Sequence, residues 1–162
     1  MAYLIDGNNL LGHLFPGEIR NPGSRYALVS KLLAFQRWKR SRIHLVFDGP
    51  ADDRLLEISR RRQKLLILFP PPGQRADEII KDRIAGQTDI RHFFVVTSDR
   101  ELAAVAKASG IKTLRVQEFA AHLKKVLREH RAEAELQRKP PAHPLSALEL
   151  GLWLDAFGEK ND

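Results

Sequence analysis

Three short apolar runs in this chain each stop on an aspartate. Leu4-Ile5 ends in Asp6-Gly7-Asn8-Asn9, Ile43-His44-Leu45-Val46-Phe47 ends in Asp48-Gly49-Pro50, and His92 to Val96 ends in Thr97-Ser98-Asp99. Short apolar runs bounded by turn formers read as strands buried in a sheet. In an open parallel sheet, ligands bind just beyond the carboxyl ends of the strands. An acid placed there is positioned for chemistry, and Gly7 is expected to take a backbone shape that other residues resist. Asp-Gly and Asn are also common turn formers, so the opening stretch reads equally as a surface turn or a helix N-cap.

Between these runs the spacing turns helical. Gly12 to Gly23 reads as a loop, and Ser24 as the cap of a helix to about Arg40, with Leu28, Leu32 and Phe35 on one face. Arg37, Lys39, Arg40 and Arg42 cluster at its end, where cations suit the helix dipole. Asp52 to Lys64 is a basic segment, either a solvated helix or loop or a phosphate-contacting flank. Leu65 to Phe69 reads as another strand, closed by three prolines and Gly73. Ala76 to Ile84 opens a helix, with Asp77 and Glu78 in its first turn, a place that favours acids through the dipole alone. A helix from about Leu102 stops at Gly110, Ile111 to Val116 reads as a fifth strand, and Phe119, Leu123, Val126 and Leu127 mark a last long helix reaching about Glu135. The alternation of strand and helix is that of a doubly wound α/β domain. The expected organisation is a domain over 1–136, a Pro-rich linker over 137–144, and an amphipathic helical tail over 145–162 carrying Leu148, Leu152, Trp153 and Phe157.

Composition narrows the chemistry. With 162 residues, 43% of them hydrophobic, the chain can fill one core. The absence of cysteine removes disulfides, thiolate nucleophiles and cysteine-ligated zinc. No run approaches the ~20 apolar residues of a membrane span, and no signal-peptide pattern opens the chain, so a cytoplasmic protein without a membrane partner is expected. The net charge of +7, from 27 Lys and Arg against 20 Asp and Glu, attracts polyanions and also promotes solubility.

Asp6, Asp48 and Asp99 each close an expected strand and Asp77 begins the helix after another, so the fold places all four on one sheet edge. Clustered carboxylates repel unless a cation lies between them. Oxygen ligands without Cys or a His pair favour Mg²⁺ or Mn²⁺, which polarises a phosphoryl oxygen and lowers the pKa of a bound water. An acidic pocket rimmed by Arg and Lys suits phosphodiester hydrolysis. Asn8 and Ser98 are either ligand-orienting or simple turn and cap residues. There is no Gly-x-Gly-x-x-Gly, no P-loop and no Gly-x-Ser-x-Gly elbow. Asp6-Gly7-Asn8 also lacks the Asp-x-Asp expected of an aspartyl phosphatase.

The motifs Leu4-Ile5-Asp6-Gly7-Asn8-Asn9-Leu10-Leu11, Val46-Phe47-Asp48-Gly49, Ala76-Asp77-Glu78-Ile79-Ile80 and Val96-Thr97-Ser98-Asp99-Arg100-Glu101, in this order and spacing, resemble the NYN domain. They are most similar to its YacP-like branch within the PIN-like nuclease superfamily. The segment Pro144 to Gly158 is also similar to a tail of this branch. The resemblance implies a PIN-like three-layer α/β/α domain with a five-stranded, mostly parallel sheet. It further implies a metal-dependent endoribonuclease that cleaves single-stranded RNA by a metal-activated water, with the ribosome as a further partner. Asp6, Asp77 and Asp99 match the family's metal-binding acids, and Asp48 a further acid near the site. Asn8 stands where the branch often has Tyr, and the run after Asp99 lacks the Glu-Gln of some members. On the residues themselves, Glu78 would complete the shell or orient water. Arg54, Arg60, Arg61, Arg62 and Lys64 would hold the RNA backbone. Two other readings stand beside this one: a non-catalytic RNA- or ribosome-binding module, and a 5′-nuclease acting on DNA, for which the chain is short. No residue pattern separates a monomer from a homodimer.

Overall fold

The computed structural model describes residues 1–138, so the amphipathic tail and most of the linker expected from the sequence lie outside the described residues. Residues Met1–Glu129 form one compact unit; the second begins at His130 and is described only for the end of the last helix.

Five strands form one sheet: β1 (Ala2–Asp6), β2 (Arg42–Val46), β3 (Leu65–Leu68), β4 (Phe93–Val96) and β5 (Lys112–Leu114). Their spatial order is β3-β2-β1-β4-β5 and every pairing is parallel. Parallel neighbours need crossover connections, and the helices supply them: α1 (Gly7–Leu14), α2 (Pro22–Lys39), α3 (Asp53–Arg61), α4 (Ala76–Ala85), α5 (Arg100–Ala108) and α6 (Val116–Arg138).

The strand period of two sorts the core into two layers. Tyr3, Ile5, Ile43, Leu45 and Phe47 pack with Leu10, Leu28, Phe35, Leu55 and Phe119 of α1, α2, α3 and α6. Leu4, Val46, Phe93 and Val95 face the other way, against Ile80 and Ile84 of α4 and Leu102 and Ala106 of α5. The result is the expected three-layer α/β/α sandwich. Chain order reverses between β1 and β4: β2 and β3 lie on one side of β1, β4 and β5 on the other. In such sheets this switch point opens a crevice at the carboxyl edge.

Local structure departs from the sequence reading in four places. The expected loop over Gly12 to Gly23 begins inside α1, because Asp6 caps a helix that buries Leu10 and Leu11. Ser24 does not cap α2; Asn21 does, accepting from the Gly23 N–H with Pro22 in the first turn, while the Ser24 hydroxyl donates to Glu18 at 2.7 Å. The fifth strand is only Lys112–Leu114, since Val116 already opens α6. Gly7 is helical rather than left-handed, and its need is for space: a Cβ there would lie 2.7 Å from the Val46 carbonyl oxygen and 2.9 Å from Phe47 Cδ1. Beside Asp48 a left-handed glycine does occur, Gly49 at φ 87°, which turns the chain there.

Candidate active site at the carboxyl edge of the sheet

Asp6 ends β1 at the switch point, and its carboxylate is 8% exposed. Both oxygens accept hydrogen bonds. Oδ1 receives the Asn9 backbone N–H at 3.2 Å, which makes Asp6 the N-cap of α1. Oδ2 receives the Asn9 amide at 3.2 Å and the Thr97 hydroxyl at 3.3 Å. Even so, the Asp6 pKa is raised, first by burial and further by the charge of Asp77, with the Asn9 and Thr97 hydrogen bonds pulling the other way. An acid whose burial outweighs its hydrogen bonds, facing a second acid, marks a place that a cation would relieve.

Thr97 ties the two central strand ends together. Its buried hydroxyl donates to Asp6 and accepts the Asp99 backbone N–H at 3.1 Å. Asp99 in turn caps α5, its Oδ1 accepting from Glu101 N at 2.8 Å and Leu102 N at 3.1 Å. Asp48, two residues beyond β2, does the same for α4: Arg75, the cap residue of that helix, makes no side-chain cap bond, and Asp48 Oδ1 accepts the Ala76 N–H at 3.2 Å instead. Asn8 fixes Asp48 from behind, its Oδ1 accepting the Asp48 N–H at 3.2 Å. Asp77 follows Ala76 in the first turn of α4, half-buried, where its charge reaches Asp6. Asp6, Asp48 and Asp99 therefore each cap a helix and lie on the same edge of the sheet.

Lys81, one turn beyond Asp77 on α4, donates to Glu101 of α5 at 2.6 Å. Its pKa is raised by that hydrogen bond and by the charges of Glu101, Asp77 and Asp99. Sequence reading had passed over Lys81, Thr97 and Asn9, because each acquires its place from partners on other elements or from the turn geometry after Asp6. Ser98 points elsewhere, holding the Gln117 side chain at 3.2 Å and accepting from Val116 N at 3.3 Å at the start of α6. Glu78 is exposed on α4. Beside Asp99 a cleft of about 950 Å³ opens between α5, β5 and the start of α6, with Arg100, Lys107 and Arg115 in its lining.

The basic segment divides. Arg54 lies in the first turn of α3, at the acidic edge; Arg60, Arg61, Arg62 and Lys64 lie at the far end of that helix, where β3 begins. Arg60 and Arg61 pair there with Glu57 at 3.5 and 2.8 Å. Arg25 of α2 meets Asp48 instead, donating to the Asp48 carbonyl at 3.2 Å and lying over the Phe47 ring at 5.2 Å.

The YacP-like NYN domain model matches residues 3–151. The chain belongs to this family. Its domain is a nuclease-like, RNA-related fold, and the motifs named above are carried on a YacP-like sheet. Two solved structures of Rae1 (YacP) from Bacillus subtilis superpose on this YacP-like chain with a TM-score of 0.65 at 21% identity. The W164L mutant covers 88% of this chain and 87% of its own; the other structure covers 98% and 91%. At that identity they establish the shared fold. Among curated proteins none matches the chain.

A divalent cation is implied by the family resemblance. Among the described residues no three His, Asp or Glu side chains converge into a ready cage. Mg²⁺ is typically held by one or two carboxylates together with waters and substrate phosphate oxygens. Asp6, on which the charge of Asp77 acts, fits that demand together with Asp77, and Asp99 is joined to Asp6 through Thr97.

Proposed function

We propose that the chain is a divalent-metal-dependent endoribonuclease acting on single-stranded RNA. The observation that carries this reading is the buried Asp6 carboxylate, held against the charge of Asp77 at the switch point of a YacP-like sheet. Asp6 and Asp77 would hold Mg²⁺ or Mn²⁺, with Asp99 at the same edge completing the set. The bound ion supplies charge neutralisation at a phosphoryl oxygen and a water of lowered pKa.

The remaining work falls to the chain itself. Thr97 and Asn9 fix the Asp6 carboxylate so that both oxygens keep their direction. Asp48 fixes the first turn of α4 and with it Asp77. Lys81 offsets negative charge while the site is empty of substrate, and its tie to Glu101 keeps it on the α5 side. Arg54, Arg100 and Arg115 stand around the edge to receive phosphates flanking the scissile one, and the cleft beside Asp99 has room for a nucleotide.

The competing reading, an RNA- or ribosome-binding module without chemistry, is favoured by the helix-capping duty of Asp6, Asp48 and Asp99. Capping does not require a desolvated acid beside a second acid, and that juxtaposition supports the nuclease reading. Asp6→Asn is expected to abolish cleavage of single-stranded RNA while sparing most of the RNA affinity. Cleavage at the wild-type rate in that variant would overturn the reading.

A further inference from the structure

The basic residues that the sequence places next to the acids are carried by the fold to the opposite edge of the sheet. Arg37, Lys39 and Arg40 end α2, and Arg42 opens β2. Arg60 and Arg61 end α3, Arg62 caps it, and Lys64 immediately precedes β3. All eight are exposed. The backbone brings the two groups side by side: Ile43 N–H donates to the Lys64 carbonyl at 2.8 Å, and Arg42 N–H to the Met1 carbonyl at 3.0 Å. Among the described residues Glu57 is the carboxylate that pairs within this group, with Arg60 and Arg61.

We propose that this amino-edge surface is a second RNA-binding site, separate from the acidic edge, which grips the phosphate backbone without regard to sequence. Nine residues of α3 span about 13 Å, more than the Debye length of about 8 Å at physiological salt. The surface therefore cannot serve the scissile phosphate, and it acts on another part of the same RNA. Six of its eight cations are arginines, whose planar fork suits phosphate oxygens. An anionic lipid surface offers phosphates as well; RNA is the occupant that fits the RNA-related fold of the family, and the choice rests on that reading.

The test is the salt dependence of binding to a labelled 30-nucleotide single-stranded RNA, measured in EDTA so that cleavage plays no part. A protein that never cuts RNA would leave this prediction standing. The variant carries R37Q, R42Q, R62Q and K64Q, with circular dichroism to establish its fold. Each phosphate contact on a single strand contributes about 0.7 to the slope of log affinity against log salt, so losing four lowers the slope by about 3. A folded variant with the wild-type slope would overturn the proposal. So would wild-type binding to phosphatidylserine vesicles that is lost in the variant while RNA binding is not. Should the variant not fold, photo-crosslinking of a 4-thiouridine RNA to the wild-type chain decides. Crosslinks on peptides spanning 37–42 or 60–64 support the second site; crosslinks confined to the acidic edge contradict it.

Discussion

Asp6 serves two ends that oppose each other. As a cap it satisfies the start of α1; as a desolvated acid beside Asp77 it costs the fold stability. Its folded pKa is raised above the ordinary 3.8, so between those two values the native state binds more protons than the unfolded chain. Stability without metal therefore increases as pH falls through the raised value, and the gain is complete below the ordinary one. Asp6→Asn is expected to melt higher than wild type at pH 7 in EDTA and to lose that segment of pH dependence, read by thermal unfolding from pH 4 to 8. A lower melting point at pH 7 would show that the Asp6 charge is not the burden described. Thr97→Val removes the hydroxyl that Asp6 and the Asp99 N–H share. A loss of about 1–3 kcal/mol in urea unfolding is expected, with cleavage down roughly 10–100-fold and recovered by Thr97→Ser. The acids themselves were legible from the strand-end pattern. Thr97 was not, because its meaning lies in a partner 91 positions away.

At the level of elements, periodicity located all five strands and most helices. The misreadings have a common origin in short-range competition. The eight-residue α1 lacks the length for a helical period to show, and its glycines read as loop. Asn21-Pro22 outcompeted Ser24 as the start of α2 because proline pre-sets the first turn. The basic run after Asp48 was misplaced for another reason: sequence distance along α3 became spatial distance across the sheet. Asp48 illustrates coupling between elements, since a residue just beyond β2 caps a helix 28 positions later. Asp48→Ala is expected to cost about 1 kcal/mol of stability, the worth of an N-cap. It should also lower cleavage roughly 10–100-fold through a displaced Asp77, checked by urea unfolding beside initial rates. Unchanged cleavage would remove Asp48 from the positioning role.

Among the described residues Asp6, Asp48, Asp77 and Asp99 lie along the carboxyl edge of the sheet, while the arginines of the α2 and α3 ends gather where β2 and β3 begin. No helix among the described residues is long and apolar enough to cross a membrane. This polarity is what a net charge of +7 conceals, because a sum over the chain carries no position. It leaves the acidic edge as the one place where the account locates chemistry. That claim is tested most directly by incubating single-stranded RNA with the wild-type protein and with Asp77→Asn, in Mg²⁺, in Mn²⁺ and in EDTA, and reading the product ends. Attack by water with departure of the 3′-oxygen predicts 5′-phosphate and 3′-hydroxyl ends, formed only by the wild type and only with metal. RNA left intact in every lane, cleavage that survives EDTA and the substitution, or 2′,3′-cyclic phosphate ends would contradict it.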